Sequence, residues 1–220
     1  MLCRNNLELS KRAANSVMGQ DVETELFVID NDSTDGTQEW LHKDGIAHAT
    51  FRPQLGVSVG WNYGLQYLFR LHDHVLVINN DVVLPPWFYG ELLSYDDVPF
   101  VTGVAVDVMP EDTAPYMPLT PNPDFSAFLI HRHAWDVIGQ FSGDMKFYAS
   151  DCDYHIRGHR LGIPMMKANV PYYHESSSTL KLASQEERDE INRQADADRQ
   201  TFRNLYGCVP GEPEYDSLFK

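Results

Sequence analysis

The chain alternates short unbroken apolar runs with stretches whose apolar residues recur every three or four positions. Residues 7–19 are of the second kind, with Leu9, Ala13 and Val17 on one face, and predict a helix. "ELFVI" (25–29) predicts a buried strand, which breaks into a polar turn before a short helix at "QEWLHK". The alternation continues with "HATFR" (48–52) as strand and "NYGLQYLFRLH" as helix, Leu65, Leu68 and Phe69 inward. "HVLVI" (74–78) is a second buried strand, and Pro85 and Pro86 set a turn ahead of a helix around "WFYGELL". "FVTGVAV" (100–106) is a third strongly apolar strand. This order predicts an α/β fold, a mixed sheet flanked by helices.

The pattern then changes. Residues 107–124, "DVMPEDTAPYMPLTPNPD", hold five prolines and no period, which predicts a long surface loop. "SAFLIHR" (126–132) resumes strand character, "YASDCDYHIRGHR" reads as a loop entering a helix, and "IPMMKANVPYYH" is strand-like. From Ser184 the pattern is helical: Ser184 and Glu187 form a capping-box signature, and Ile191, Ala195, Phe202 and Leu205 make an apolar stripe. That C-terminal helix is expected to brace the rest. With no repeat and no boundary signal, residues 1–220 are expected to form one domain. Its parts are a first half (1–106), a second half (107–183) and the helix with its tail (184–220).

Composition narrows the function. The 17 basic residues face 32 acidic ones, a formal charge of -15, and no Lys/Arg cluster stands out. Such a surface repels polyphosphate, so generic nucleic-acid binding is not expected. A metal ion can still mediate contact with a small phosphorylated ligand. Three scattered cysteines (Cys3, Cys152 and Cys208) give neither a disulfide framework nor zinc spacing and point to a reducing cytoplasm. No run reaches the roughly 18 apolar residues of a membrane span, and "MLCRNNLELSKR" has no signal-peptide core.

Two apolar strands end in acidic clusters, "VID" at 28–30 and "VINND" at 77–81. Ligands of open α/β sheets bind at the carboxyl ends of strands, so Asp30 and Asp81 could frame one site. The plain alternative for each cluster is a turn or a helix cap.

Five segments in order extend this picture: "VIDNDSTDGT" (28–37), "GVSVGWNYGL" (56–65), "NNDVVLPPWF" (79–88), "FYASDCDYHIRGHRLG" (147–162) and "PYYHESS" (171–177). Together they resemble the family 2 glycosyltransferases of the GT-A fold, over about residues 3–176. The resemblance implies an inverting, metal-dependent transfer of a sugar from a nucleotide-diphosphate donor (UDP-, dTDP- or GDP-linked) to a hydroxyl. The acceptor would be a glycan, a lipid-linked sugar, a protein or a modified base, in carbohydrate biosynthesis. Asp30 and Asn31 would bind the nucleotide, with Asn5, Asn62, Asn80 and Asp81 also on the donor; Asn62 serves equally well as a helix cap. Asp81 and His174 would hold Mn²⁺ or Mg²⁺, whose charge offsets that of the leaving diphosphate. Asp151 would be the general base, with Asp153 as the alternative, and Asp151 could also cap the helix that follows.

The chain departs from the family pattern in three places. Asn79 stands where the metal motif usually has its first Asp, Arg4 replaces the usual aromatic beside the base, and only "MLC" precedes the first turn. That first strand would be central, so something must pair with its neighbours. Trp61, Trp87 and Arg157 are read as packing or ion-pair residues. The proline-rich loop and the segment after His174 are the expected acceptor walls. Two rivals share the fold class. A sugar-phosphate nucleotidyltransferase would want a glycine-rich basic loop, which residues 1–20 lack. A non-catalytic binding domain of the same fold would keep the pocket without turnover.

Overall fold

A computed structural model describes residues 1–110, 123–175 and 184–220. The sheet residues run β1 (Leu2–Cys3), β2 (Phe27–Asn31), β3 (Ala47–Phe51), β4 (His74–Ile78), β5 (Val82–Val83), β6 (Phe100–Val106), β7 (Ala127–His131) and β8 (Met165–His174). Between them lie α1 (Leu7–Met18), α2 (Thr37–Lys43), α3 (Val57–Leu68), α4 (Phe88–Leu93), α5 (Arg132–Ile138) and α6 (Ser150–Arg160). The long α7 (Gln185–Tyr206) and a 3₁₀ turn (Tyr215–Phe219) close the chain.

β1, β2 and β3 pair in parallel, and the other five strands order as β4-β7-β6-β8-β5. β1 joins the two groups. Leu2 pairs with Ile29 of β2 and bridges in parallel to Asn79, just past β4. A two-residue strand is therefore enough to occupy the central position, helped by the Ile29 N–H donating to the Met1 carbonyl (2.8 Å). β7 runs antiparallel to both β4 and β6, while β8 is parallel to β6. The ends of β2, β4 and β8 and the beginning of β7 thus share one edge.

Each face of the sheet buries its own cluster. Ile29, Trp61, Leu65, Val77, Phe100, Phe128, Phe141, Tyr154 and Met165 pack under α3, α5 and α6. Ala13, Val17, Ile78, Phe88, Leu92, Val101, Leu129, Val170 and Tyr172 pack under α1 and α4. The short α5 is absent from the strand-and-loop reading of the sequence; Ala134 and Ile138, one turn apart, supply its buried side.

α7 opens with the expected capping box: the Glu187 N–H donates to Ser184 Oγ (3.3 Å) and the Ser184 N–H to Glu187 Oε2 (2.8 Å). Its inward residues need one correction. Phe202 is fully buried, but Leu205 is 60% exposed, and Asp198 takes a fully buried place on the inward side. Hydrophobicity alone cannot signal that a carboxylate belongs in the stripe.

Gly103 lies where β8 carries extra residues against β6, between the Thr102–Lys167 and Val104–Pro171 pairs. A Cβ there would meet the Val170 carbonyl at 2.5 Å and the Phe88 ring at 2.6 Å. Gly103→Ala is expected to lower unfolding free energy by about 1–3 kcal/mol, the range for overpacking. Urea denaturation followed by circular dichroism measures it.

Candidate functional site

The acidic turn after β2 is first of all a connector. Ser33 N–H donates to Asp30 Oδ1 (3.1 Å), and Asp35 accepts from Leu7 N–H (2.8 Å) and from the Thr37 hydroxyl (2.6 Å). Ser33 Oγ accepts from Asn5 N–H (2.8 Å), and Asn5 Oδ1 accepts from Thr34 N–H (2.8 Å). The turn therefore ties the exit of β1 to that of β2 and to the starts of α1 and α2. This explains why it carries more polar residues than a reversal needs.

Above this edge lies a cleft of about 700 Å³, in the size range of small-ligand sites. Asn31, Asn80, Asp81 and Asp151 line it together, with Asn79, Asp124, Arg4 and Lys167. His174 reaches the edge of the cleft through Asp81, its Nε2 3.4 Å from Asp81 Oδ1. Three expected donor contacts sit elsewhere. Asp30 is fully buried just behind the wall, Asn5 is engaged with the turn, and Asn62 faces away from the cleft. Asn62 Nδ2 donates to the Phe141 carbonyl (2.9 Å) and its Oδ1 accepts from the Phe141 N–H (2.8 Å), fastening α3 to the segment ahead of α6.

The polar partners of the remaining residues limit what each can do. Asn31 braces the 55–56 loop, accepting from Leu55 N–H (2.7 Å) and donating to the Gly56 carbonyl (3.3 Å). Asn80 Nδ2 donates to Ser10 Oγ (2.9 Å) and the Asn5 carbonyl (3.3 Å), setting the turn that presents Asp81. Asp30 Oδ2 is a buried acceptor with no hydrogen-bond partner among the described residues. A buried carboxylate oxygen of this kind calls for an N–H or O–H donor.

Asp151 sits in the first turn of α6, after Ala149 in a left-handed conformation (φ 64°). Cys152 N–H donates to its Oδ1 (2.9 Å). Burial holds the Asp151 carboxyl above the usual carboxylate range, Asp124 adds to the rise, and the backbone hydrogen bonds oppose it. Cys152 is no nucleophile: burial, with Asp151 beside it, pushes its thiol up to about 12. Asp153, two residues on, points away. Its oxygens accept from Tyr206 OH (2.7 Å) and Arg157 Nε (2.9 Å), and Arg157 also binds the carbonyls of Ile138 and Gln140 (both 2.8 Å). Trp61 packs edge-to-face on Phe128 and Phe141, with centroids 5.4 and 5.2 Å apart, and Trp87 packs against the α4 side of the core.

The metal reading can be tested on the donor set. The hydrogen bond to Asp81 raises the affinity of His174 for its proton, against a smaller opposing effect of burial. One carboxylate and one imidazole face each other, and no group of three or more His, Cys, Asp or Glu capable of holding a metal exists among the described residues. Mg²⁺-type sites are commonly made from one or two carboxylates plus substrate phosphates and water. The pair fits such a shared site, not an all-protein cage.

Sequence reasoning missed two residues, Lys167 and Asp198, and gave a third, Asp124, no role beyond its place at the end of the proline-rich loop. Asp124 precedes β7, and the rule that ligands sit at carboxyl ends of strands overlooks it, because an antiparallel strand brings its beginning to that edge; Asn79 N–H donates to the Ser126 carbonyl there (3.0 Å). Lys167 lies within β8, where nothing in the sequence marks it. Asp198 Oδ2 accepts from the N–H groups of Phe147 (2.8 Å) and Tyr148 (3.0 Å), clamping the segment before Asp151, and Gln194 Nε2 donates to Oδ1 (2.8 Å). The expected acceptor walls, 107–124 and the stretch after His174, lie largely outside the described residues. Among those described, no helix is long and apolar enough to cross a membrane.

The sequence model of the family described as "Glycosyl transferase family 2" matches residues 1–154. Solved structures of similar fold include a mannosyltransferase, PcManGT, from Pyrobaculum calidifontis in complex with GDP-Man and Mn²⁺. It is 14% identical, with TM-score 0.63, over 99% of this chain and 66% of that one. S. aureus TarS 1-349 in complex with UDP is 15% identical, with TM-score 0.61, over 99% and 68%. Glucosyl-3-phosphoglycerate synthase from Mycobacterium tuberculosis, in complex with Mn²⁺, UDP and glucosyl-3-phosphoglycerate, is 15% identical, with TM-score 0.66, over 96% and 79%. The present chain thus spans about two thirds of the first of these proteins. At such identities the likeness speaks to the fold, which is GT-A. No curated protein sequence matches the chain.

Two stability measurements check this geometry. Asp198→Ala leaves two amides without their acceptor and is expected to lower unfolding free energy by about 2–4 kcal/mol. For Asp151 the folded state holds its proton to higher pH than the unfolded chain, so its ionisation subtracts stability as pH rises through the raised value. Asp151→Asn removes that penalty, and its melting temperature at pH 7 is expected to exceed the wild type's, with the gain vanishing toward pH 3.

Proposed function

The chain belongs to glycosyl transferase family 2, and from that membership we propose that it transfers a sugar from a nucleotide-diphosphate donor to an acceptor hydroxyl, with inversion. The observation that carries the reading is the meeting of the Asp81–His174 pair and the proton-retaining carboxyl of Asp151 on one cleft at the strand ends.

Each residue has a part that its surroundings support. Asp81 and His174 would hold a divalent cation, Mn²⁺ or Mg²⁺, which when bound supplies positive charge to the donor's diphosphate. Mn²⁺ accompanies the nucleotide or nucleotide sugar in two of the structural neighbours, which makes it the first ion to test. Asn79 in place of a carboxylate leaves the cation with Asp81 as its acidic protein ligand in the 79–81 turn. Asp30, through its unpartnered Oδ2, would accept from the imide N–H of a uracil, thymine or guanine base once the wall beside Asn31 admits it. Arg4, also on the cleft, has its Nε buried without a partner and would lie toward the nucleotide. Asn31, Asn80 and Asn5 shape this donor side, which belongs to residues 1–106; residues 107–183 would form the acceptor side.

Asp151 would draw the proton from the acceptor hydroxyl as it attacks. A hydroxyl is a poor nucleophile at neutral pH, and a base whose pKa is raised toward the working pH takes the proton more readily than an ordinary carboxylate. Asp153, tied to Arg157 and Tyr206, has no free approach to the cleft.

A panel of UDP-, dTDP- and GDP-sugars with Mn²⁺, scored by nucleotide release and by product mass, tests the proposal. Asp151→Asn is expected to reduce transfer by about 10²–10⁴-fold while nucleotide affinity stays within twofold of wild type. In wild type the acid limb of kcat/KM should lie above the ordinary carboxylate pKa of about 4. Undiminished transfer by Asp151→Asn removes the base assignment.

A further inference from the structure

Among the described residues lining the cleft of this acidic protein are two cations, Arg4 and Lys167. Arg4 follows β1 and so lies at the nucleotide side. Lys167 stands on the other wall. On β8 it is two residues beyond Met165 and therefore shares the face that packs beneath α6, the helix that presents Asp151. Its registered neighbour in β6 is Thr102, whose Oγ1 accepts from the Asp124 N–H (3.0 Å). Lys167, Asp124 and Asp151 thus surround the same part of the cleft.

Lys167 is only partly exposed, and no carboxylate among the described residues forms an ion pair with it. An ammonium on the cleft that no described carboxylate holds at ion-pair distance can donate a charge-assisted hydrogen bond to an incoming anion. The donor's diphosphate would meet its opposite charge in a cation held at Asp81 and His174. Asp151 and Asp124 repel negative charge, so an anion entering this region must be held by a cation placed there. Lys167 is the group that answers that requirement.

We propose that Lys167 recognises a phosphate or carboxylate carried by the acceptor, so that the substrate glycosylated here is anionic. The inference rests on the transferase reading, and it narrows the acceptor from hydroxyl compounds in general to those bearing a negative group a few bonds from the reacting hydroxyl. Binding that group would orient the acceptor with its hydroxyl toward Asp151.

The test first ranks UDP, dTDP and GDP with Mn²⁺ by isothermal titration. It then titrates glycerol 3-phosphate, D-glycerate and glycerol into the protein saturated with the tightest nucleotide. Wild type is expected to bind one or both anions about ten- to a hundredfold tighter than glycerol, the worth of one charge-assisted hydrogen bond. Lys167→Gln should lose that advantage with nucleotide affinity within twofold of wild type, and Lys167→Arg should keep most of it. Equal binding of anions and glycerol, or undiminished anion binding by Lys167→Gln, overturns the proposal and leaves the transferase reading standing. A loss of nucleotide affinity in Lys167→Gln as large as the loss of anion affinity also overturns it, since Lys167 would then serve the donor diphosphate. Failure of every nucleotide to bind wild type sinks the transferase reading, and the acceptor role with it.

Discussion

Leu2 and Cys3 stand between β2 and β4, and their few backbone contacts set the level at which the two halves of the sheet meet. Leu2 is registered with Ile29 on one side and Asn79 on the other, so the polar ends that follow, Asp30–Asn31 and Asn80–Asp81, emerge side by side. A slip of one residue in either pairing would turn side chains to the opposite face and separate these ends. The seat for this short strand is Gly60 of α3. A Cβ there would come within 2.6 Å of Leu2 Cδ1, so any larger residue would push the end of the Leu2 side chain out of its seat. This side of the cleft thus depends on close packing beneath a strand with little backbone pairing of its own.

The other side of the cleft is held from outside the sheet. α7 reaches back from the end of the chain, and the buried Asp198 captures two successive amides just ahead of Ala149. Phe202 packs with Ile156, Ala149 and Met145, and Tyr206 binds Asp153. These contacts fix the strained entry to α6 and with it the direction of Asp151. They also occupy Asp153, which separates two carboxylates that the sequence leaves nearly equivalent. A surface brace thereby becomes part of how the cleft keeps its shape.

Charge gives the cleft its logic. A chain with a net charge of -15 brings few cations of its own to the cleft. The Asp81–His174 pair suits a metal that brings positive charge with the ligand, while burial, and to a smaller extent Asp124, holds the Asp151 carboxyl above the usual carboxylate range.

The sequence by itself determined the layer architecture, most element positions and the family. β4 and β6 occupy the spans their apolar runs predict, and the capping box of Ser184 and Glu187 starts α7 where expected. Such features are local, set by periodicity and by partners a few residues apart. Tertiary structure decided which polar residues reach the cleft. Asn62 looks like a ligand residue in the sequence, yet it is spent on the Phe141 backbone, and Asp30 lies buried behind the wall with one oxygen unpartnered. Lys167 and Asp198 carry no sequence signal, and Asp124 is marked only as the end of the proline-rich loop, because their roles come from a neighbouring strand's register, a helix returning from far along the chain and an antiparallel strand start. Burial, partner choice and charge proximity are properties of such long-range contacts, which no pattern of neighbours along the chain contains.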